Sequence, residues 1–84
     1  MPKPRSEDGG KNLISEHLKA LRKEHHISQR ELANQLQLIG MDMDKNVITR
    51  IETNKRYVTD IELKALAKIF GVSYESLIDG IDEP

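Results

Sequence analysis

The feature that most restricts the fold of this chain is a pair of strong helix-start signals. Ser28 precedes Glu31, and Thr59 precedes Glu62, each at the spacing of a capping box. In a capping box the hydroxyl accepts a hydrogen bond from the backbone N–H three residues later, and the carboxylate accepts one from the cap residue's own N–H. Apolar residues at helical spacing follow each signal: Leu32, Ala33 and Leu36 after the first, and Leu63, Leu66, Ala67 and Phe70 after the second. Both segments are therefore predicted to be helices, and Gly71 is well placed to end the second one.

Three further helices are predicted from apolar spacing and single cap residues. The first of them carries Ile14, Leu18 and Leu21 at helical intervals. This first helix is predicted to run from Leu13 to His25–His26. The second should run from Asp44 (or Asp42) to Thr53, and the third from Ser73 to Gly80. Five helices joined by short links, with no strand pattern between them, predict an all-α fold in the form of a compact five-helix bundle.

The length of 84 residues and the lack of cysteine limit the class of protein. Such a chain has room for one small core and cannot use disulfides or a thiolate metal site. We expect a flexible N-terminal arm over residues 1–12, one folded domain over residues 13–80 and a short acidic tail over residues 81–84. No apolar run is long enough to cross a membrane, and the N-terminus lacks a signal-peptide segment, so a soluble cytoplasmic protein is expected.

Charge is distributed unevenly along the chain, although the net charge is only −1. Residues 1–59 contain eleven Lys and Arg against eight Asp and Glu, whereas residues 60–84 contain two against six. This balance permits nucleic-acid binding but does not argue for it, because strong nonspecific binders are more basic. Lys3 and Arg5 of the arm could follow a DNA groove, but a solvated tail is the simpler interpretation.

The short helix near residue 48 has a surface that core packing does not explain. It lies in the stretch DMDKNVITRIETNKR, where Val47, Ile48 and Ile51 share one side and are predicted to face inward. The opposite side then carries Lys45, Asn46, Thr49, Arg50 and Thr53. Lys and Arg can donate to guanine, Asn can pair with adenine, and Thr offers a hydroxyl and a methyl group. This side has the chemistry needed to recognise base edges, although an ordinary solvated helix surface would also be polar.

Three segments together resemble a known family. LKALRKEHHISQRELANQL, ITRIETNKR and IELKALAKIFGVSYESLI are similar, in this order, to Cro and phage-repressor-type helix-turn-helix regulators, the xenobiotic-response-element (XRE) family of bacteria. The resemblance covers roughly residues 13–79 and implies a lambda-repressor-like DNA-binding domain. It implies a small transcriptional regulator, a repressor, that binds a double-stranded DNA operator with helix 45–53 in the major groove. The residues expected to contact bases are Lys45, Asn46, Thr49 and Arg50.

Contacts to the DNA backbone are expected on both sides of this helix. The resembling family uses a Gln at the position of Gln29, at the start of the second helix, to hold a phosphate. Arg30 is the exposed neighbour of Gln29, and it is expected to contribute to the same contact. Lys55 and Arg56 follow the third helix, where they are placed to touch the sugar-phosphate backbone.

Two structural features accompany the resemblance. In the family, the positions of Arg22 and Glu52 form an ion pair that links two helices, and we expect the same pair here. The chain departs from the family in the turn before the third helix, because Leu36 and Ile48 are twelve positions apart, about five more than is common. Four apolar residues are many for a solvated loop, so this turn, residues 37–44, is expected to pack partly against the core through Leu38, Ile39 and Met41, together with Met43.

Enzyme and metal functions are not indicated by the sequence. His17, His25 and His26 lack the spacing of a helical ligand pair, and there is no cysteine to complete a set. No Ser/His/Asp or paired-carboxylate group lies beside a Gly-rich loop or a pocket-forming scaffold. We therefore expect no catalytic residue, no cofactor and no metal.

The main alternative is a protein-interaction module, such as an antitoxin or a partner-binding subunit whose acidic end meets a basic protein such as a toxin. The charged donors of the short helix favour DNA over this alternative, although an antitoxin could bind both. A homodimer on a two-fold symmetric operator is expected, because a monomer on one half-site would contact too few bases. Leu77, Ile78 and Ile81 could form the dimer contact, or the folding of the last helix could bury them instead.

Overall fold

A computed structural model describes residues 10–80 of the chain as an all-helical fold, and no strand occurs among these residues. The five helices are α1 Ser15–Glu24, α2 Gln29–Leu38, α3 Lys45–Glu52, α4 Asp60–Phe70 and α5 Tyr74–Asp79. This architecture confirms the predicted all-α fold with five helices. No helix in this part of the chain is both long enough and apolar enough to cross a membrane.

The predicted cap residues begin the helices to which they were assigned. Ser28 Oγ accepts a hydrogen bond from the backbone N–H of Glu31 at 3.0 Å, and Glu31 Oε1 accepts one from the N–H of Ser28, also at 3.0 Å. Thr59 and Glu62 make the same reciprocal pair at the start of α4. Asp44, and not Asp42, caps α3, because its Oδ1 accepts from the N–H of Val47 at 2.9 Å.

The core is built from the apolar stripes of all five helices. Its fully buried larger side chains are Leu18, Leu32, Leu36, Met43, Ile48, Ile51, Leu66 and Leu77. The helix α3 supplies Ile48 and Ile51 to this core, and Val47 packs against the core at its edge. Because α3 packs against both α2 and α1, the α2–turn–α3 unit is a helix-turn-helix held on the rest of the bundle.

The long turn before α3 differs from the expectation that Leu38, Ile39 and Met41 would pack against the core. Leu38 is 85% exposed and Ile39 is 42% exposed, so the expectation is wrong for these two side chains. It is right for Met41, which packs partly against the core, and Met43 is buried. The helix α2 continues to Leu38, which lies about 200° around the axis from the buried Leu36 and so faces solvent.

Residues 10–12, which the sequence assigns to the arm, contact the folded domain. Asn54, whose φ is 62°, accepts hydrogen bonds at Oδ1 from the backbone N–H groups of Lys11 and Asn12, both at 2.9 Å. Asn12 in turn donates from Nδ2 to the backbone oxygens of Ile51 at 3.1 Å and Arg56 at 2.9 Å. The packed structure thus includes Asn12, while residues 1–9, with Lys3 and Arg5, lie outside the described residues.

Candidate nucleic-acid interface

The side of α3 that faces away from the core is polar along its whole length. Lys45, Asn46, Arg50 and Thr53 are exposed and Thr49 is half-exposed. Among residues 10–80, no hydrogen bond or ion pair engages the side chains of Lys45, Asn46 or Arg50. Their donors are therefore available to a ligand, and Asn46 and Arg50, four residues apart, point in the same direction.

A buried ion pair fixes the other side of α3 to α1. Arg22 donates from Nε to Glu52 Oε2 at 2.8 Å and from Nη2 to Glu52 Oε1 at 3.0 Å. The remaining amino group of Arg22 donates to the backbone oxygen of Ile27 at 3.0 Å. Glu52 is only 3% exposed, and its hydrogen bonds hold the pKa of Arg22 above its ordinary value against the opposing effect of burial. The pair that the resemblance implies is thus present, and it joins α1 to α3.

Gln29 extends this ion pair to the outward side of α3. Its Nε2 donates to Glu52 Oε1 at 3.0 Å, and its Oε1 accepts from the hydroxyl of Thr49 at 2.8 Å. The first residue of α2 therefore links a buried carboxylate to a side chain on the exposed side of α3. Only one of the two N–H groups of the Gln29 amide is used in this contact, which leaves the other as a donor for the predicted phosphate contact.

The residues predicted to contact the DNA backbone have different surroundings. Arg30 and Lys55 are exposed. Arg56 is instead held internally, because its two terminal amino groups donate to the two carboxylate oxygens of Glu62 at 2.9 and 2.8 Å. One of these amino groups also donates to the backbone oxygen of Tyr57 at 3.1 Å. The hydrogen bonds that Arg56 donates to Glu62 are the main reason that the pKa of Glu62 lies below its ordinary value of 4.5.

Sequence reasoning missed the polar contacts that Arg56, Asn12 and Asn54 make. A signal for the contact of Arg56 was present in the sequence. Glu62 is the carboxylate of the second capping box, and Arg56 lies six residues before it, in the loop that enters α4. No comparable signal announces the contact between Asn12 and Asn54, because apolar periodicity says nothing about amides that are far apart in the chain.

An apolar groove of about 470 Å³ lies away from the outward side of α3. It is formed by the segment before α1, the loop before α4, the start of α4 and the end of α5. Its apolar lining consists of Leu13, Ile14, Tyr57, Val58, Leu63 and Ile78. Leu77 is fully buried in the core, Ile78 lines the groove, and Ile81 lies outside the described residues. Among residues 10–80, no group of His, Cys, Asp and Glu side chains is arranged to hold a metal ion.

Comparison with known proteins agrees with this geometry. A family model described as helix-turn-helix matches residues 18–77, which include all of α2, the turn and α3. The crystal structure of the hypothetical transcription factor NHTF from Neisseria has a similar fold, with a TM-score of 0.71 and 19% sequence identity over 93% of this chain and 83% of that one. A search of curated proteins gave no match. The chain belongs to the Cro/C1-type helix-turn-helix family, whose members are typically DNA-binding regulators.

Proposed function

We propose that this protein is a transcriptional repressor that binds a specific double-stranded DNA operator with α3 in the major groove. The observation that carries the proposal is the contrast between the two sides of α3. Ile48, Ile51 and Glu52 are buried on one side, whereas the donors of Lys45, Asn46 and Arg50 are exposed and uncommitted on the other. A helix with this division is anchored firmly enough to present its polar side chains in a fixed geometry to base edges.

The proposed contacts divide into those that recognise bases and those that hold the DNA backbone. The side chains near the N-terminal end of a recognition helix usually reach deepest into the groove. We assign base contacts to Lys45, Asn46, Thr49 and Arg50, and backbone contacts to Gln29, Arg30 and Lys55. Arg56 keeps its predicted backbone contact only if its guanidinium can reach a phosphate while paired with Glu62, so Lys55 is the cleaner residue for testing this region.

The repressor is proposed to act as a homodimer through the apolar groove. Two copies are needed because one α3 contacts only a few base pairs, and adjacent half-sites lie about 34–36 Å apart on one face of the duplex. The groove brings together six apolar side chains, including Leu13, which is 57% exposed. Leu38 and Ile39 are also exposed, at 85% and 42%, but these two neighbouring residues do not line the groove. Because larger contiguous apolar surfaces mark interaction sites, the groove is the better candidate for contact with a second copy.

The dimer is tested by sedimentation of matched surface variants. Leu13→Glu places a charge at the groove and should shift the protein to monomer and weaken operator binding. Leu38→Glu places the same charge on a more exposed apolar residue elsewhere, and should leave the dimer intact. A Leu13→Glu variant that remains folded and dimeric would remove the groove from the interface.

The function itself is tested by selecting bound sequences from a random pool of duplex DNA. The expected result is a single two-fold symmetric motif, followed by repression of a reporter whose promoter contains it. If no duplex is bound even at low salt, the repressor proposal fails and a protein-interaction module, such as an antitoxin, becomes the better explanation.

A further inference from the structure

We propose that Thr49 contacts DNA only as a hydrogen-bond acceptor and a methyl group, never as a donor, because the Gln29 amide oxygen and the Lys45 backbone oxygen both hold its hydroxyl proton inside the protein. Thr49 would then favour a base that presents an exocyclic amino group in the major groove, N4 of cytosine or N6 of adenine. This inference rests on the proposed operator binding and adds a base preference at one position of the operator. Gln29 acts in it as a positioning residue.

The direction of the Thr49 hydroxyl depends first on the ion pair between Arg22 and Glu52. Arg22 has donors only, and it occupies both oxygens of Glu52, at 2.8 and 3.0 Å. A carboxylate held by a guanidinium in this bidentate manner is an acceptor only. Glu52 is 3% exposed, so water cannot easily take the place of either partner.

The carboxylate of Glu52 then determines the orientation of the Gln29 amide. The nitrogen must face Glu52, at 3.0 Å from Oε1, because the amide oxygen would meet a carboxylate oxygen with no proton between them. The amide oxygen is left facing Thr49 Oγ1 at 2.8 Å. The opposite orientation of the amide would lose its hydrogen bond to Glu52 and is therefore unfavourable.

Thr49 has one hydroxyl proton, and both of its neighbours inside the protein are acceptors. One is Gln29 Oε1 at 2.8 Å, and the other is the backbone oxygen of Lys45 at 3.0 Å. Whichever of the two takes the proton, the proton points into the protein. The part of the side chain that remains available to a ligand is an oxygen lone pair and the methyl group.

Because Thr49 then offers only an acceptor and a methyl group, it can form a hydrogen bond only with a base that presents a donor. In the major groove, cytosine N4 and adenine N6 are donors and match a lone pair, whereas guanine and the O4 of thymine present acceptors. An acceptor facing an acceptor leaves both groups without a partner, which is costly in a contact that excludes water. Thymine could still gain a methyl contact with Thr49, but that contact does not depend on the hydroxyl.

The experiment compares operator variants bound by the parent protein and by Thr49→Val, which keeps the shape and one methyl but removes the oxygen. The selected operator is changed at each position to all four bases, and to analogues of adenine or cytosine that lack the exocyclic amino group. At one position per half-site, the parent should prefer an amino base over its analogue by roughly 3- to 10-fold, the value of one neutral hydrogen bond. Thr49→Val should bind the base and its analogue equally, and Thr49→Ser should keep the preference.

The role of Gln29 is tested with Gln29→Leu, and Gln35→Leu in the same helix serves as the matched control. If Gln29 only holds a phosphate, its loss should weaken binding to all operator variants by the same factor. If it also positions the Thr49 hydroxyl, the preference for the amino base should decrease at that one position without disappearing, because the backbone oxygen of Lys45 is then the only internal acceptor that holds the hydroxyl proton. Melting temperatures confirm that each variant is folded.

The outcomes separate this inference from the function on which it rests. A preference for guanine or thymine O4 that depends on the Thr49 oxygen would overturn the inference, as would a Thr49→Val variant with the parent's preferences at every position. In both cases operator binding, and so the proposed function, would still stand. Failure to select any operator would instead overturn the proposed function.

Discussion

Replacing Arg22 by Met should destabilise the protein more than replacing both partners of its ion pair. Glu52, the partner, is 3% exposed, and Arg22 donates to both of its carboxylate oxygens. The substitution keeps much of the aliphatic stem of Arg22 but removes all its donors. It leaves a buried carboxylate supported mainly by the Gln29 amide, and it also removes the donor to the backbone oxygen of Ile27.

The magnitude follows from the burial of the two side chains. Removing one partner of a buried pair costs about 3–5 kcal/mol. The Arg22 side chain keeps 15% of its exposure, so some water can reach the site and the lower end of the range, about 3 kcal/mol, is expected. In a domain of this size each kcal/mol lowers the melting temperature by about 4–8 °C, so the expected decrease is roughly 12–24 °C.

The double variant Arg22→Met/Glu52→Leu should recover a substantial part of this loss, because no uncompensated charge remains. The recovery should be incomplete, since Gln29 then loses its acceptor. The assay is urea and thermal unfolding of the parent, both single variants and the double variant, with the exposed neighbour Lys23→Met as the control. Parent-like unfolding of Arg22→Met, or a double variant less stable than either single one, would refute the argument.

Three further predictions use other parts of the surface. Asn46→Ala or Arg50→Ala should each weaken operator binding by about 1–3 kcal/mol while leaving the melting temperature unchanged. Asn46→Ala should weaken binding to scrambled duplex DNA much less. A folded double variant with full operator preference would remove α3 from the interface. Lys55→Ala should weaken binding to all duplexes alike. It should also make the slope of the logarithm of the binding constant against the logarithm of the salt concentration shallower by about 0.9. An unchanged slope would show that Lys55 contacts no phosphate. The contact with Arg56 lowers the pKa of Glu62 below 4.5, so it stabilises the fold above that pH, and its contribution is lost as the pH falls through the lowered pKa. Unfolding free energies measured across this acid range should therefore fall more steeply for the parent than for Glu62→Gln, and parallel curves would contradict the assignment.

The helices could be predicted from the sequence because their signals are local. Each capping box has both of its hydrogen-bonding residues within four positions of the chain. The structure contains both boxes, Ser28 with Glu31 and Thr59 with Glu62. The exposure of Leu38 could not be obtained in this way. Counting apolar residues in the turn indicated burial, but the direction of a side chain depends on how far α2 continues, which apolar content alone does not determine.

The candidate site could be predicted only in part for the same reason. The outward position of Lys45, Asn46 and Arg50 follows from helical periodicity, which is a local property. The hydrogen bonds of Gln29 to Glu52 and Thr49 join residues that are 23 and 20 positions away, so they become visible only when α2 and α3 are packed together. Their consequence, a fixed direction of the Thr49 hydroxyl, could not be predicted from the residue type either, because a Thr hydroxyl can both donate and accept a hydrogen bond.

These contacts also explain how α3 can be held despite the lengthened turn that precedes it. A long turn restrains the next helix weakly, since each doubling of loop length changes the closure free energy by only about 0.6 kcal/mol. Besides Met43 and Asp44 at the end of the turn, the helix is fixed by groups outside the turn: Ile48 and Ile51 in the core, Glu52 bound to Arg22, and the loop after α3 held by Asn12. The orientation of the polar side therefore depends on α1, α2 and the segment before α1, while residues such as Leu38 and Ile39 can vary without moving it. A helix anchored in this way can keep its direction relative to the core while the exposed part of the turn before Met43 changes in length and sequence.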